Sequence, residues 1–155
     1  MTFLILFAGI LFSLFPDIDF LYWIKKKDSN HRKFPHYPII YLVLFIILFF
    51  IDRFFSLLFF LPILFHLIHD SFFLGWGVKW FWPFSKKSFK FFPDKNGRIT
   101  SKILLTWEES EEKSIKREYG TKNWIREFYL KINFYSVLEY GTFIFALILL
   151  YKSII

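Results

Sequence analysis

The chain has 155 residues, of which 55% are hydrophobic and 25% aromatic, and its formal net charge is +7. A soluble domain of this length could not remove so much apolar surface from water, so the composition predicts a membrane protein. Cysteine is absent, which excludes disulfides, thiolate metal ligands and a cysteine nucleophile.

Four apolar runs are candidates for transmembrane helices. The first begins with "MTFLILFAGILFSLF" and continues past a Pro-Asp-Ile-Asp interruption. It has no basic start and no small-residue cleavage site, so we expect a retained span rather than a signal peptide. The other runs cover residues 37–51, 54–68 and 134–151. Because crossing a bilayer takes about 20 apolar residues, we expect short or tilted spans in an all-α, polytopic fold of about four helices, with a kink at Pro62.

Lysine and arginine in the connecting loops indicate how these spans are oriented. The first loop carries Lys25, Lys26, Lys27, Arg32 and Lys33. The loop over residues 79–132 is also rich in Lys and Arg, whereas the second loop holds only Arg53 and the C-terminal tail only Lys152. The two basic loops lie on the same side of a four-span protein. The pattern therefore predicts cytoplasmic basic loops and external termini in the cell membrane.

We expect a single membrane domain over residues 1–155, with the polar motifs in residues 1–92, a cytoplasmic loop over 93–132 and the last helix in 133–155. The polar segments of this domain differ from one another in composition and in predicted structure.

Residues 72–92 combine tryptophans with lysines, as in "GWGVKWFWPFSKKSF", which is typical of an anchor in the headgroup zone. Residues 94–97 predict a turn. Residues 101–131 predict a charged, amphipathic cytoplasmic helix that Gly120 breaks or caps.

Acidic, histidine and arginine side chains gather at the predicted cytoplasmic ends of the first three spans. They are Asp17, Asp19, His31, Arg32, His36, His66, His69 and Asp70. His66 and Asp70 are four residues apart, which stacks them on one side of a helix, and His69 shares that side less closely. Each group alone is also explained as a polar helix end or loop.

Ionisable groups this near hydrocarbon usually face a partner or a wet cavity. Carboxylates and imidazoles without thiolates suit Zn²⁺, Mn²⁺ or Fe²⁺. The number of candidate ligands exceeds one tetrahedral shell, so a two-metal site is open as well as a single-metal site.

The motifs "PDID", "HRKFPH", "HLIHDS" and "GWGVKWFWPFSKKSF" follow one another within about residues 10–90. Together they resemble the YdjM-like family of membrane-bound metal-dependent hydrolases, which shows P-D-x-D, H-R-x-x-x-H and H-x-x-x-D motifs. The resemblance implies a divalent ion, Zn²⁺ or Mn²⁺, or two such ions, held by Asp17, Asp19, His31, His36, His66 and Asp70. The chain departs from the family pattern at Phe20, Pro35 and Tyr37, where polar residues are common.

These patterns predict a metal-dependent hydrolase at the cytoplasmic membrane surface. Asp17 and Asp19 would hold the ion or act as a general base. The planar fork of Arg32 fits a phosphate or carboxylate of the substrate, or a lipid headgroup. We expect His69 and Glu139, the latter inside the fourth run, as candidate supporting residues.

The expected partners are membrane lipids and an amphiphilic anionic substrate such as a phosphoester. We expect no nucleic acid, because membrane topology already explains the positive charge. Two other functions remain open: a non-hydrolytic metal-binding protein that transports or senses the ion, and a membrane adaptor that uses residues 101–131. Glycine motifs for nucleotides and the G-x-S-x-G nucleophile motif are absent.

Overall fold

The computed structural model describes residues 2–18, 34–72, 77–95, 98–119, 126 and 129–154. This part of the chain is mostly helical, as the apolar runs predict, and it also contains two small antiparallel sheets. The helices are α1 (Thr2–Ser13), α2 (Pro38–Phe49), α3 (Arg53–Ser71), α4 (Glu112–Tyr119) and α5 (Phe134–Ile154). Single 3₁₀ turns cover Phe15–Asp17, Phe34–His36 and Glu109–Glu111.

Helix α3 is the centre of the helical packing, since both α1 and α2 pack against it. Its buried residues Phe59, Ile63 and Leu67 recur every four positions and so lie along one side of the helix. They pack with Tyr41 of α2 and with Val78. The helix continues through Pro62 to Ser71.

A short connection makes α2 and α3 antiparallel. Residues 50–52 join them, and the Asp52 side chain accepts a hydrogen bond of 2.9 Å from the Phe55 backbone N–H. An N-cap of this kind stabilises a helix by about 1 kcal/mol. The beginning of α2 therefore lies beside the end of α3, where His66 and Asp70 are found.

Length and composition distinguish α3 from the other apolar helices. Among the described residues, it is the helix long and apolar enough to cross a membrane, and shorter apolar helices cover Leu4–Ser13, Pro38–Phe49 and Phe134–Leu149. Large apolar side chains are exposed along α1, α2 and α5. Exposed apolar surface on this scale marks contact with lipid or another apolar partner.

The segment that the sequence predicts to be a cytoplasmic loop differs in secondary structure from its prediction. Strand β1 (Ser88–Phe91) pairs antiparallel with β4 (Leu104–Trp107), and β2 (Asp94–Lys95) pairs with β3 (Arg98–Ile99).

The predicted helix over residues 101–131 is therefore wrong for residues 104–107. Side chains there alternate between exposed and buried, because Leu105 and Trp107 pack with Tyr119. That alternation is the period of a strand. The described helix of this segment is α4, and Gly120 lies outside the described residues.

Gly77 joins the sheet to the end of α3. Its N–H donates a hydrogen bond of 3.0 Å to the Asp70 carbonyl, and Val78 exchanges backbone hydrogen bonds with Phe89. Its φ is +80°, and a Cβ at this position would lie 2.7 Å from the Phe89 carbonyl oxygen and 2.8 Å from the Trp107 ring. Only glycine meets both conditions without strain.

We predict that Gly77→Ala lowers the free energy of unfolding by about 1–3 kcal/mol, because it combines backbone strain with a close contact. For a chain of this size, that is a fall in melting temperature of ~2–4 °C for each kcal/mol. Thermal unfolding in detergent measures it. Gly141→Ala on α5 is the matched control, since nothing lies within 4 Å of a Cβ there. Equal melting temperatures for the two variants would contradict this account.

Candidate metal centre

Three chain segments bring acidic and imidazole side chains to one end of the helical packing. Asp17 ends the 3₁₀ turn that follows α1, and His36 ends the 3₁₀ turn that precedes α2. His66 and Asp70 lie on the last two turns of α3, one helical turn apart. We call Asp17, His36, His66 and Asp70 the acid–imidazole cluster.

The two imidazoles of the cluster lie between its two carboxylates. His36 Nε2 is 3.5 Å from Asp17 Oδ1 and 3.3 Å from Asp70 Oδ2. His66 Nε2 is 3.7 Å from Asp17 Oδ1 and 3.6 Å from Asp70 Oδ2. Both imidazoles therefore direct Nε2 towards the same two oxygens.

Local packing holds each member of the cluster in place. The His36 side chain is 1% exposed, and the Tyr41 hydroxyl donates a hydrogen bond of 2.6 Å to the Pro35 carbonyl just before it. Pro16 is buried next to Asp17. At the end of α3, the Gly77 N–H satisfies the carbonyl of Asp70. The cluster is thus built on backbone that is fixed by its own contacts.

The spacing and chemistry of Asp17, His36 and His66 in the cluster fit a divalent cation. Hydrogen-bonded nitrogen and oxygen atoms lie about 2.7–3.2 Å apart. Ligand atoms about 2.0–2.2 Å from one tetrahedral ion lie about 3.3–3.6 Å from one another. The four distances between imidazoles and carboxylates run from 3.3 to 3.7 Å.

Two further observations agree with that fit. One ligand atom each from Asp17, His36 and His66 lies within 4.8 Å of the others. His66 Nε2 is buried and has no hydrogen-bond partner among the described residues. Two carboxylates and two imidazoles without sulfur suit Zn²⁺ or Mn²⁺.

The other candidate residues fall into two groups. Asp19, His31 and Arg32 lie outside the described residues. His69 and Glu139 pair with each other, with His69 Nε2 2.6 Å from Glu139 Oε1. Since the His69 side chain is 52% exposed, this pair connects α3 to α5 on a more open side of α3 than the one that carries the buried cluster.

Sequence reasoning missed the residues that brace the cluster. The Trp80 indole N–H donates a hydrogen bond of 2.7 Å to Ser71 Oγ, next to Asp70 in the chain. The Trp82 ring stacks on Tyr37, next to His36, with ring centroids 4.8 Å apart. The sequence could have indicated that the Trp80 indole N–H needs a hydrogen-bond partner if it is buried. The identity of that partner depends on the tertiary structure.

Comparison with models of protein families matches residues 2–151 to the family described as YdjM inner membrane protein. The chain belongs to the YdjM family. The resemblance drawn from the sequence motifs is thereby confirmed, and the family supports a location in the cell membrane. Neither the curated proteins nor the solved structures contain a match to the chain.

In this YdjM-family chain, we predict that Tyr41→Phe weakens divalent-metal binding by ~10-fold, the scale seen when a group supporting a metal ligand is lost. The reason is that the Tyr41 hydroxyl fixes the backbone that carries His36. Competition with a chromogenic Zn²⁺ chelator measures the affinity. Tyr140→Phe is the control, because it removes a hydroxyl that bonds to the Tyr129 carbonyl instead. Unchanged affinity in Tyr41→Phe would refute the bracing role.

Proposed function

We propose that this YdjM-family protein is a membrane-bound, metal-dependent hydrolase that acts at the cytoplasmic surface of the membrane. The observation that supports the proposal most directly is the acid–imidazole cluster, in which residues from three chain segments meet within reach of one ion. Asp17, His36 and His66 together offer one carboxylate oxygen and two imidazole nitrogens at spacings that a single divalent ion can bridge.

We infer that α1, α2, α3 and α5 correspond to four short or tilted spans, with both termini outside. The end of α1, the beginning of α2 and the end of α3 meet at the acid–imidazole cluster, as alternating spans require. The segments that follow α1 and α3 are rich in Lys and Arg, which favours the cytoplasm for that end of the packing.

The residues of the cluster have separable roles in this proposal. His36, His66 and Asp70 would supply buried donor atoms. A bound divalent ion supplies Lewis acidity and lowers the pKa of water to about 7. The Asp17 side chain is 41% exposed, so it can hold the ion and also receive a proton from a water molecule that enters from solvent.

Residues outside the described part of the chain complete the proposed site. We propose that Asp19 and His31 add ligands, for one ion or for two. Arg32 would hold the anionic group of the substrate. The substrate class that fits is an amphiphilic phosphoester, because the site lies at the end of apolar helices in a basic surrounding.

We predict that the purified protein binds a stoichiometric divalent metal and that His66→Ala and Asp17→Asn each lose most of it. Removing a ligand leaves too few donor atoms to hold the ion, and the remaining carboxylates then lose the cation that balances their charge. Elemental analysis after dialysis against Zn²⁺ or Mn²⁺ measures the content. Asp52→Asn is the matched control, because it removes a carboxylate at the opposite end of α3 and an asparagine still caps the helix. Full metal content in both cluster variants would end the proposal.

Hydrolysis itself is tested in nanodiscs with bis(p-nitrophenyl) phosphate and short-chain phosphatidic acid. We expect turnover that chelation abolishes and that added Mn²⁺ or Zn²⁺ restores. Asp17→Asn should reduce kcat by ~10²-fold or more, because it removes both a metal ligand and the proposed general base. Stoichiometric metal without hydrolysis of any ester would favour the non-hydrolytic metal-binding function.

A further inference from the structure

A loop beside the acid–imidazole cluster exposes large apolar side chains next to lysines. We call residues 80–87, with the sequence WFWPFSKK, the aromatic–basic loop. Phe84 is 93% exposed and Phe81 is 59% exposed, while Lys86 and Lys87 are also exposed. The two tryptophans of the loop are more buried than these phenylalanines. The loop therefore presents phenylalanine and lysine outward.

Contacts on its inner side fasten this loop to the segments that carry the cluster. Trp80 bonds to Ser71, which follows Asp70, and Trp82 stacks on Tyr37, which follows His36. Inside the loop, the Ser85 N–H donates a hydrogen bond of 2.9 Å to the Phe81 carbonyl. The position of the loop relative to a membrane surface would therefore also fix the position of the cluster relative to that surface.

A second attachment holds the beginning of the loop. Lys79 is buried, and its Nζ donates a hydrogen bond of 2.6 Å to Glu109 Oε1 on the 3₁₀ turn before α4. The same Nζ lies 5.8 Å from the centre of the Tyr37 ring. The loop is thus tied on one side to the cluster and on the other to the small sheet region, so Phe81 and Phe84 project from a braced base.

The chemistry of the exposed side favours a lipid surface over a protein. Phenylalanine beside lysine is the combination that places rings at the acyl boundary and ammonium groups at the phosphates of an anionic leaflet. The loop follows α3, the apolar helix long enough to cross a membrane, and the chain belongs to a family of inner membrane proteins. Lys87 also lines a polar cleft with Glu108 and Glu111, so Lys86 is the better residue for testing charge.

We propose that the aromatic–basic loop docks into the headgroup region of an anionic phospholipid leaflet, with Phe81 and Phe84 entering the acyl boundary and Lys86 at the level of the phosphates. The docking sets the acid–imidazole cluster at headgroup depth. The last step rests on the proposed function: a hydrolase site at headgroup depth acts on the phosphoester of a membrane lipid rather than on that of a soluble metabolite.

This assignment changes the roles expected from the sequence. Trp80 and Trp82 were expected to lie in the headgroup zone, whereas here their side chains fasten the loop to Ser71 and Tyr37. The membrane contact passes to Phe81 and Phe84. Trp76, the third tryptophan of that expectation, lies outside the described residues.

The absence of cysteine from the chain permits a direct test on the full-length protein. Phe84→Cys is labelled with an environment-sensitive NBD fluorophore and placed in nanodiscs of phosphatidylglycerol and phosphatidylcholine. We expect emission shifted to the blue, with quenching by lipids doxyl-labelled near the headgroup several-fold stronger than for labelled Ser110→Cys, an exposed position on the 3₁₀ turn before α4. Quenching by aqueous iodide should rank the two positions in the opposite order.

Charge is tested in the same labelled protein. Replacing phosphatidylglycerol by phosphatidylcholine should reduce doxyl quenching at position 84, and Lys86→Gln should remove most of the difference between the two lipid compositions. Iodide access at position 84 equal to that at Ser110→Cys would overturn the proposal. Energy transfer between labels at position 84 of two protein molecules would also overturn it, because a second chain rather than lipid would then cover the loop.

Metal content measured on the labelled samples separates this proposal from the proposed hydrolase. A docked loop in a protein without metal refutes the hydrolase and leaves the docking intact. A metal-loaded protein with a water-exposed loop refutes the docking and leaves the hydrolase intact. Phe81→Ser adds a second position: it should weaken doxyl quenching of the label at position 84 without changing metal content.

Discussion

The meeting of two imidazoles with two carboxylates at the end of α3 constrains the rest of the structure. His36 is almost completely buried and lies within 3.3 to 3.5 Å of both carboxylates. Ionisable groups in such a position are costly unless they share a charge or a cation. This requires three helix ends to stay close together: the end of α1, the beginning of α2 and the end of α3. The packing of α1 and α2 on α3 keeps them there.

The segment that follows α3 braces this end of the helices. Gly77 satisfies the Asp70 carbonyl, Trp80 reaches Ser71, and Trp82 stacks on Tyr37. These contacts place a small sheet and a braced loop directly beside the acid–imidazole cluster. Residues that are not candidate ligands can therefore still determine how the candidate ligands are oriented, because supporting contacts orient a ligand side chain.

The two proposals place chemistry and membrane contact at the same end of the molecule. The acid–imidazole cluster offers donors for a cation, and the neighbouring loop exposes phenylalanine and lysine side chains. Under the proposed function, a lipid phosphoester is the substrate that fits this combination, because its headgroup would lie at the depth proposed for the cluster. The His69–Glu139 pair adds α5 to the same region through a short contact between α3 and α5.

The sequence by itself determined the membrane class and the apolar helices, and it placed Asp17, His36, His66 and Asp70 within a larger set of candidate site residues. These follow from local properties: apolar run length, loop charge, and the spacing of His66 and Asp70 on a helix. Only the tertiary structure decided that Leu104–Trp107 forms a strand, because its burial depends on pairing with Ser88–Phe91. It also decided which aromatic residues face inward, since Trp80 and Trp82 find their partners on chain segments that local sequence cannot bring together.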